Sequence, residues 1–147
     1  MTAYVLSFEM IIVVDTSVIV SAFLGPGGSS REVLRQCLNG RHVPLMGAAL
    51  VHEMEAVLSR PALLQACALS ISERAQLIDA YLNVCRWTRI YYTWRPNSPD
   101  ESDNHLIELA VAGSAEAIVT KNLRDLRGAE LKFPDLKIVP PEHFVKE

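Results

Sequence analysis

The sequence predicts an α/β fold in which a parallel sheet of about five strands is covered by helices on both faces. Short apolar runs rich in β-branched residues alternate along the chain with segments of helical periodicity, which is the order typical of βαβ units. The first run, residues 11–14, reads Ile-Ile-Val-Val and suits a strand buried on both faces. Half of the 147 residues are hydrophobic and 21% are charged, so the chain can bury a substantial core.

Each strand is predicted where an apolar run is bounded by turn residues or charges. The predicted strands cover residues 11–14, 43–46, 88–92, 117–119 and 136–139. Helices are predicted where apolar residues recur on one stripe, with Gly25, Gly40 and Pro61 among the residues that end them. After a first helical stretch between Asp15 and Gly25, the predicted helices cover residues 30–39, 47–58, 63–68, 72–84 and 106–112. Ser72 is the predicted start of the longest one.

The length predicts a single domain. We expect residues 10–147 to form it and residues 1–9 to be an N-terminal extension, with Met10 as an alternative native start. The apolar stretch that begins at Met10 is interrupted by Asp15 and the hydroxyl residues after it, which argues against a membrane span. The three cysteines have neither zinc nor CxxC spacing, and the start lacks the charge of a signal peptide, so a cytoplasmic protein is expected.

Two carboxylates stand where a core would ordinarily have apolar residues. Asp15 directly follows the first strand, although there it could also cap the next helix through its side chain. Glu53 falls within the apolar stripe of the predicted helix 47–58, one turn from both Ala49 and Val57. An ionised carboxylate on a buried helix face costs several kcal/mol unless it meets a cation or hydrogen-bond donors. Glu53 is therefore expected either to pair with an arginine or to face a charged pocket.

Further acids follow in the second half of the chain. Asp103 lies one turn before Ile107 on the stripe of the next predicted helix, which it could also simply begin. Asp125 comes shortly after the predicted strand 117–119, where a solvated ion pair with a neighbouring arginine is the alternative. Asp100 is an accessory candidate, whereas Glu108 is expected to be a solvated charge.

One common cause explains Asp15, Glu53, Asp103 and Asp125 better than four separate ones. Carboxylates that pack together raise one another's pKa unless a divalent cation neutralises them. An oxygen-only ligand set favours Mg²⁺ or Mn²⁺, which suit phosphoryl chemistry. Apart from these four, thirteen acids remain against fourteen bases, so the formal net charge of −3 leaves a polyanionic substrate admissible.

Four segments, in this order, carry a resemblance to a known family: VVDTSVIVSAFL, LVHEMEAVLSRP, SPDESDNHLIELAVAGSAEAIVTKN and NLRDL. They are similar to the PIN-domain family of metal-dependent ribonucleases, which includes the toxins of bacterial type II toxin–antitoxin systems (VapC-like). The resemblance implies a three-layer α/β/α domain whose acidic pocket binds Mg²⁺ or Mn²⁺. The acids that it matches to catalysis and metal binding are Asp15, Glu53, Asp103 and Asp125.

The resemblance implies accessory positions around these acids, and Asp100 and His105 are added from their places in the sequence alone. Asn122 stands where many relatives have Asp, so the fourth metal ligand comes either from Asp125, which we favour, or from Asn122. His105 is a candidate for orienting a phosphate, with mere exposure as the alternative. The accessory positions together are Thr16, Ser17, Asp100, His105, Thr120 and Asn122.

The activity implied by the resemblance is hydrolysis of RNA phosphodiesters, which leaves 5′-phosphate and 3′-hydroxyl ends. The implied partners are an RNA substrate, a second copy in a homodimer, and a cognate antitoxin whose amphipathic segment occupies a groove and places an Arg in the acid pocket. A PIN-like module that holds RNA or protein without cutting is the alternative from another class. A receiver-type signalling domain is disfavoured, because it needs an acceptor Asp after the third strand, where Tyr91 and Tyr92 stand.

Overall fold

A computed structural model describes residues 10–25, 28–90, 104–126, 128 and 132–146, without the side chains of Asn104 and Asp125. The predicted extension 1–9 and the predicted site residues Asp100 and Asp103 lie outside the described residues. The strands are β1 (Met10–Val14), β2 (His42–Met46), β3 (Arg86–Trp87), β4 (Ala117–Val119) and β5 (Lys137–Val139). The helices are α1 (Thr16–Leu24), α2 (Ser29–Leu38), α3 (Ala48–Leu58), α4 (Pro61–Ala66), α5 (Ile71–Val84), α6 (Asn104–Ala112), α7 (Leu123–Leu126) and α8 (Pro141–Phe144).

The five strands form one sheet in the order β3-β2-β1-β4-β5, and every pair is parallel. The chain builds outward from the central β1 to β2 and β3, and then crosses to the other side of β1 to add β4 and β5. Strand order therefore reverses beside β1, where Val14 is in register with Val119. In open parallel sheets, ligands bind at the carboxyl ends of the strands at such a reversal.

Helices cover both faces of the sheet and give the predicted three-layer α/β/α arrangement. Helices α2 and α5 contact β2 and each other, whereas α6 contacts β1, β2 and β4 together with α3. The predicted burial of β1 on both faces is confirmed, because the successive residues Ile12 and Val13 are both completely buried. Within the described part of the chain, no helix is long and apolar enough to cross a membrane.

Most predicted elements are confirmed to within two or three residues, but the third strand was predicted in the wrong place. It lies at Arg86–Trp87 rather than at 88–92, since Leu45 and Met46 of β2 pair with these two residues. Both β3 residues are exposed at the edge of the sheet, so they lack the apolar run by which a buried strand is predicted from sequence. The N–H of Thr88 still donates to the Met46 carbonyl at 2.8 Å, and residues 91 and 92 lie outside the described ranges.

Helix α5 starts one residue before the predicted Ser72, and its cap is Ser70, which forms a reciprocal capping box with Glu73. The prediction for Glu108 is wrong. Glu108 is only 6% exposed and is not a solvated charge. The reason is that α6 is enclosed by the sheet and α3, so residues 106–110 are all buried.

Candidate metal centre

Asp15 lies at the carboxyl end of β1, at the junction with β4. Its N–H donates to the Val119 carbonyl at 2.9 Å, so the backbone of Asp15 extends the strand pairing by one residue. Its carbonyl accepts the Val18 N–H at 2.9 Å, but its side chain makes no capping hydrogen bond to α1. The alternative in which the Asp15 carboxylate caps the helix is therefore wrong, and the carboxylate serves other contacts.

Two hydroxyl groups hold one oxygen of the Asp15 carboxylate. Thr120 Oγ1 donates to Asp15 Oδ2 at 2.7 Å, and Ser17 Oγ donates to the same oxygen at 3.0 Å. Each hydroxyl accepts a backbone N–H in turn, Thr120 from Asn122 at 2.9 Å and Ser17 from Lys121 at 3.1 Å. Because those acceptor contacts fix the hydroxyls, their protons are directed at Asp15.

The Asp15 side chain is buried and forms no ion pair with a residue that the structure describes. The residue is 5% exposed. Both of its donors contact Oδ2, and no described group donates to Oδ1. Burial of a carboxylate in this state is costly unless a cation compensates it, so the free oxygen and the missing charge fit a cation ligand.

Glu53 reaches the same site from α3. Its side chain is 34% exposed and accepts a 2.7 Å hydrogen bond from Thr16 Oγ1 on Oε1. Oε2 lies 3.7 Å from His105 Nε2, which makes an ion pair when the imidazole is protonated. The predicted charged environment is present, whereas the alternative of an ion pair with arginine is not found among the described residues.

The position of Glu53 on α3 also differs from the prediction. The buried stripe consists of Leu50, Met54 and Leu58, so Glu53 flanks it rather than lying inside it. Ala49 is exposed, and the half-buried Val57 lines the same cleft as Glu53, so this side of α3 does not face the core.

Neighbouring groups favour the ionised form of Glu53. The contact with His105 contributes most to lowering the pKa of Glu53 below its ordinary value. Partial burial acts in the opposite direction, while the Thr16 hydrogen bond and the positive charge of Arg60 lower the pKa further. Glu53 is therefore a carboxylate at neutral pH and can serve as an oxygen ligand.

Asp15 and Glu53 open onto one cleft of about 670 Å³ at the carboxyl edge of the sheet. Polar groups line part of it, apolar side chains of α1 and α3 line another part, and two cationic residues complete the lining. The lining residues are Asp15, Thr16, Ser17, Val20, Ser21, Leu24, Glu53, Val57, Arg60, Lys121 and Asn122.

The structure thus brings together most of the predicted site residues that it describes. Thr16, Ser17, Thr120 and His105 contact the two acids directly, and Asn122 does so through Thr120. Asp100, Asp103 and the Asp125 side chain lie outside the described part of the structure. Within that part, no group of three His, Cys, Asp or Glu residues is arranged to hold a metal.

Sequence reasoning missed the basic and apolar components of the cleft. Arg60 and Lys121 are exposed, so nothing in the hydrophobic pattern distinguishes them from other surface cations. A weak signal was available for Arg60, because a residue directly before Pro61 is held at the start of a new helix.

Comparison with known proteins identifies the class of this domain. A family model described as the PIN domain matches residues 11–124, and the chain therefore belongs to the PIN-domain family, whose members are generally nucleases. The fold is similar to a chain in the crystal structure of VapBC2 from Rickettsia felis bound to a DNA fragment from their promoter. That similarity has a TM-score of 0.55 and 15% sequence identity, over 89% of this chain and 98% of the other. No significant match was found among curated proteins.

Proposed function

We propose that this protein is a Mg²⁺- or Mn²⁺-dependent endoribonuclease that hydrolyses RNA phosphodiesters and acts as the toxin of a toxin–antitoxin pair. The observation that supports it best is Asp15, a residue that is 5% exposed, has no ion pair within the described ranges and lines a cleft together with Glu53. Membership of the PIN-domain family supports a nuclease, and the oxygen-only donors of the cleft suit a hard divalent cation.

The acids that we propose as metal ligands and catalytic residues are Asp15, Glu53, Asp103 and Asp125. These residues would hold the divalent ion, which would supply Lewis-acid activation of water and charge stabilisation at the phosphate. Thr120 and Ser17 orient Asp15, and Thr16 orients Glu53, so the two carboxylates are positioned before substrate binds. Asn122 remains the alternative to Asp125 as the source of the fourth ligand.

Residues near the start of α6 support the inclusion of Asp103. His105, the second residue of α6, lies 3.7 Å from Glu53, and Asp103 directly precedes that helix in the sequence. We infer that Asp125 also belongs to the site. It is part of α7, which begins directly after Asn122, and the N–H of Asn122 donates to Thr120.

The toxin proposal includes a cytoplasmic homodimer and a cognate antitoxin. The similarity to a chain from VapBC2 supports an antitoxin partner, and the apolar wall formed by Val20, Leu24 and Val57 suits an amphipathic segment. An Arg from that segment would replace the charge of the metal beside Asp15 and Glu53.

The activity is tested by incubating an end-labelled, structured RNA with and without Mg²⁺ or Mn²⁺. The proteins compared are wild type, Asp15→Asn, Glu53→Gln and, as a matched control, Glu55→Gln, which removes an exposed carboxylate from the same helix. We expect metal-dependent cleavage by wild type and Glu55→Gln, and a loss of about 100-fold or more in the other two variants. Folded, antitoxin-free wild type that does not cut would favour the non-cleaving module, and equal cutting by all four proteins would exclude these acids as the source of activity.

Metal binding is tested without reference to activity by thermal unfolding. Mg²⁺ or Mn²⁺ at 100 times its Kd stabilises the folded state by about 2.7 kcal/mol, so the Tm of wild type and of Glu55→Gln should rise. Asp15→Asn should lose most of that rise because the buried anionic ligand is gone. An equal rise in Asp15→Asn would contradict the proposed site.

A further inference from the structure

Two cationic side chains line the cleft that holds Asp15 and Glu53, and neither has an anionic partner within the described part of the chain. We propose that Arg60 and Lys121 bind phosphates of the RNA that flank the scissile phosphodiester. This inference rests on the proposed function, because it assigns the substrate contacts of that same site.

Arg60 has a fixed backbone, and its side chain has no ion-pair partner among the described residues. Its N–H donates to the Val57 carbonyl at the end of α3, and its carbonyl accepts the Leu64 N–H at the start of α4 at 3.0 Å. Pro61 follows directly and restricts the backbone further. The guanidinium makes no hydrogen bond or ion pair with a described residue, although it is close enough to Glu53 for its charge to lower the pKa of that carboxyl.

Lys121 enters the cleft from the loop between β4 and α7. Its backbone N–H donates to Ser17 Oγ, so the residue is anchored to the hydroxyl that also holds Asp15. Its Nζ has one described partner, the neutral Ser21 Oγ at the long distance of 3.5 Å. The ammonium charge is therefore available to a ligand.

The charge distribution explains why two such cations are needed here. A phosphodiester that approaches Asp15 and Glu53 meets two carboxylates, and each neighbouring phosphate of the strand adds to the repulsion. Cations from two separate elements offset this repulsion where the strand enters and leaves the cleft. The planar guanidinium of Arg60 can bind two phosphate oxygens at once, while Lys121 acts as a point charge.

The test measures binding of a fluorescein-labelled single-stranded RNA of mixed sequence by anisotropy, without added metal and over a range of KCl concentrations. The variants are Arg60→Gln, Lys121→Gln and their combination. The matched controls are Arg41→Gln and Lys137→Gln, which make the same charge changes just before β2 and at the start of β5, at the opposite end of the sheet. All four substituted side chains are exposed, so circular dichroism and Tm are sufficient to check the fold of the five variants.

We expect each cleft variant to weaken binding by about three- to ten-fold and to lower the slope of log K against log salt by about 0.7, as for the loss of one phosphate contact on a single strand. The controls should stay within about two-fold of wild type. In metal-dependent cleavage, Arg60→Gln and Lys121→Gln should raise KM by a similar factor and change kcat little, because the lost contacts are also made in the ground state.

The outcomes separate this inference from the nuclease proposal. Selective loss of binding in the cleft variants, without cleavage by wild type, would support the cation assignment and refute the nuclease. Metal-dependent cleavage with unchanged binding and KM in both cleft variants would overturn the cation assignment alone, as expected if the cations instead bind an acidic protein segment. The assignment is also overturned if the controls weaken binding equally, or if wild type binds no RNA.

Discussion

Thr120 shows how a single buried hydroxyl positions an acid. It is completely buried, and its hydroxyl both donates a hydrogen bond to Asp15 and accepts one from the Asn122 N–H. Thr120→Val keeps the shape but leaves a buried carboxylate and a backbone N–H without this partner. We expect it to lower the free energy of unfolding by about 1–3 kcal/mol and to reduce RNA cleavage.

The measurement for Thr120 is urea unfolding together with the cleavage assay. Thr120→Ser is the control, because it keeps the hydroxyl and removes one methyl group. Thr120→Val with wild-type stability and activity would show that Asp15 does not depend on this hydrogen bond.

At the scale of residues, the sequence revealed the acids better than their partners. Asp15 could be singled out because a charge directly after a buried strand is costly, whereas Glu53 was singled out although it only flanks the buried stripe of α3. The hydrogen bond between Thr16 and Glu53 could not be predicted from the hydrophobic pattern, since it depends on how α1 packs on α3. Arg60 carried almost no signal, because an exposed cation is ordinary in any surface sequence.

Among the elements, α5 begins with a capping box, and substitutions of Ser70 and Ser72 can show which of the two serines caps the helix. Ser70 Oγ accepts the Glu73 N–H at 3.1 Å, whereas Ser72 is an exposed residue within the first turn. Ser70→Ala should lower the free energy of unfolding by about 1 kcal/mol, and Ser72→Ala should change it by less than about 0.5 kcal/mol. Urea unfolding measures both, and equal effects would contradict the assigned cap.

The first residue of β2, His42, links the stability of the sheet to pH. It is 7% exposed, its Nε2 lies 3.0 Å from Gln36 Oε1, and its ring packs on Phe144. Burial lowers the pKa of His42 below its ordinary value of 6.5, and the charge of Arg41 acts in the same direction. Its Nδ1 has no partner within the described ranges, so a second ring proton would lack an acceptor.

The direction of the pH effect follows from this lowered pKa. Between the folded and unfolded pKa values the unfolded chain binds more protons, so the contribution of His42 is complete above about pH 6.5 and is lost as the pH falls. His42→Gln should therefore flatten the decrease in unfolding free energy between about pH 7 and about pH 5, measured by urea unfolding. The control is His52→Gln at an exposed position of α3, and an unchanged slope in His42→Gln would contradict the assignment.

Element length decides which parts of the fold could be predicted. Strand β1 and the helices α2, α3 and α5 are long enough to display a period, and the sequence placed each within one or two residues. Strand β3 has two exposed residues, and α7 and α8 have four residues each, so they offer too little pattern. Strand β3 is placed by its pairing with β2, whereas α7 packs on β5 and α8 packs on α2.

For the whole molecule, the order of the strands was not readable, and it is that order which assembles the site. Asp15 and Thr120 are 105 residues apart and form a 2.7 Å hydrogen bond because β4 returns to pair with β1. Alternation of strands and helices predicts that strand ends share one edge, but it does not say which ends are adjacent. Topology therefore brings Asp15 and Glu53 to one cleft, while the shared metal site of the four acids stays a prediction.

The reactivity of the cysteines reports on how tightly the helical layer formed by α2 and α5 packs on the sheet. Cys37 at the end of α2 and Cys85 after α5 lie where these helices pack together, and burial raises the pKa of each thiol to about 12. Cys67 is half-buried near the Phe23 carbonyl. Since thiolate is the reactive form, iodoacetamide at about pH 8 should modify Cys67 first in the folded protein.

Cys37 and Cys85 should react only as fast as the domain opens, because both access and ionisation require α2 and α5 to separate. Mass spectrometry of peptides from a labelling time course measures the three rates, and in strong urea all three thiols should react at similar rates. Thr120→Val removes the hydrogen bond to Asp15 at the junction of β1 and β4. If the domain unfolds as one cooperative unit, this substitution should increase the labelling rates of Cys37 and Cys85 by the same factor. Acceleration of only one of these two thiols would instead show that the helical layer opens in parts.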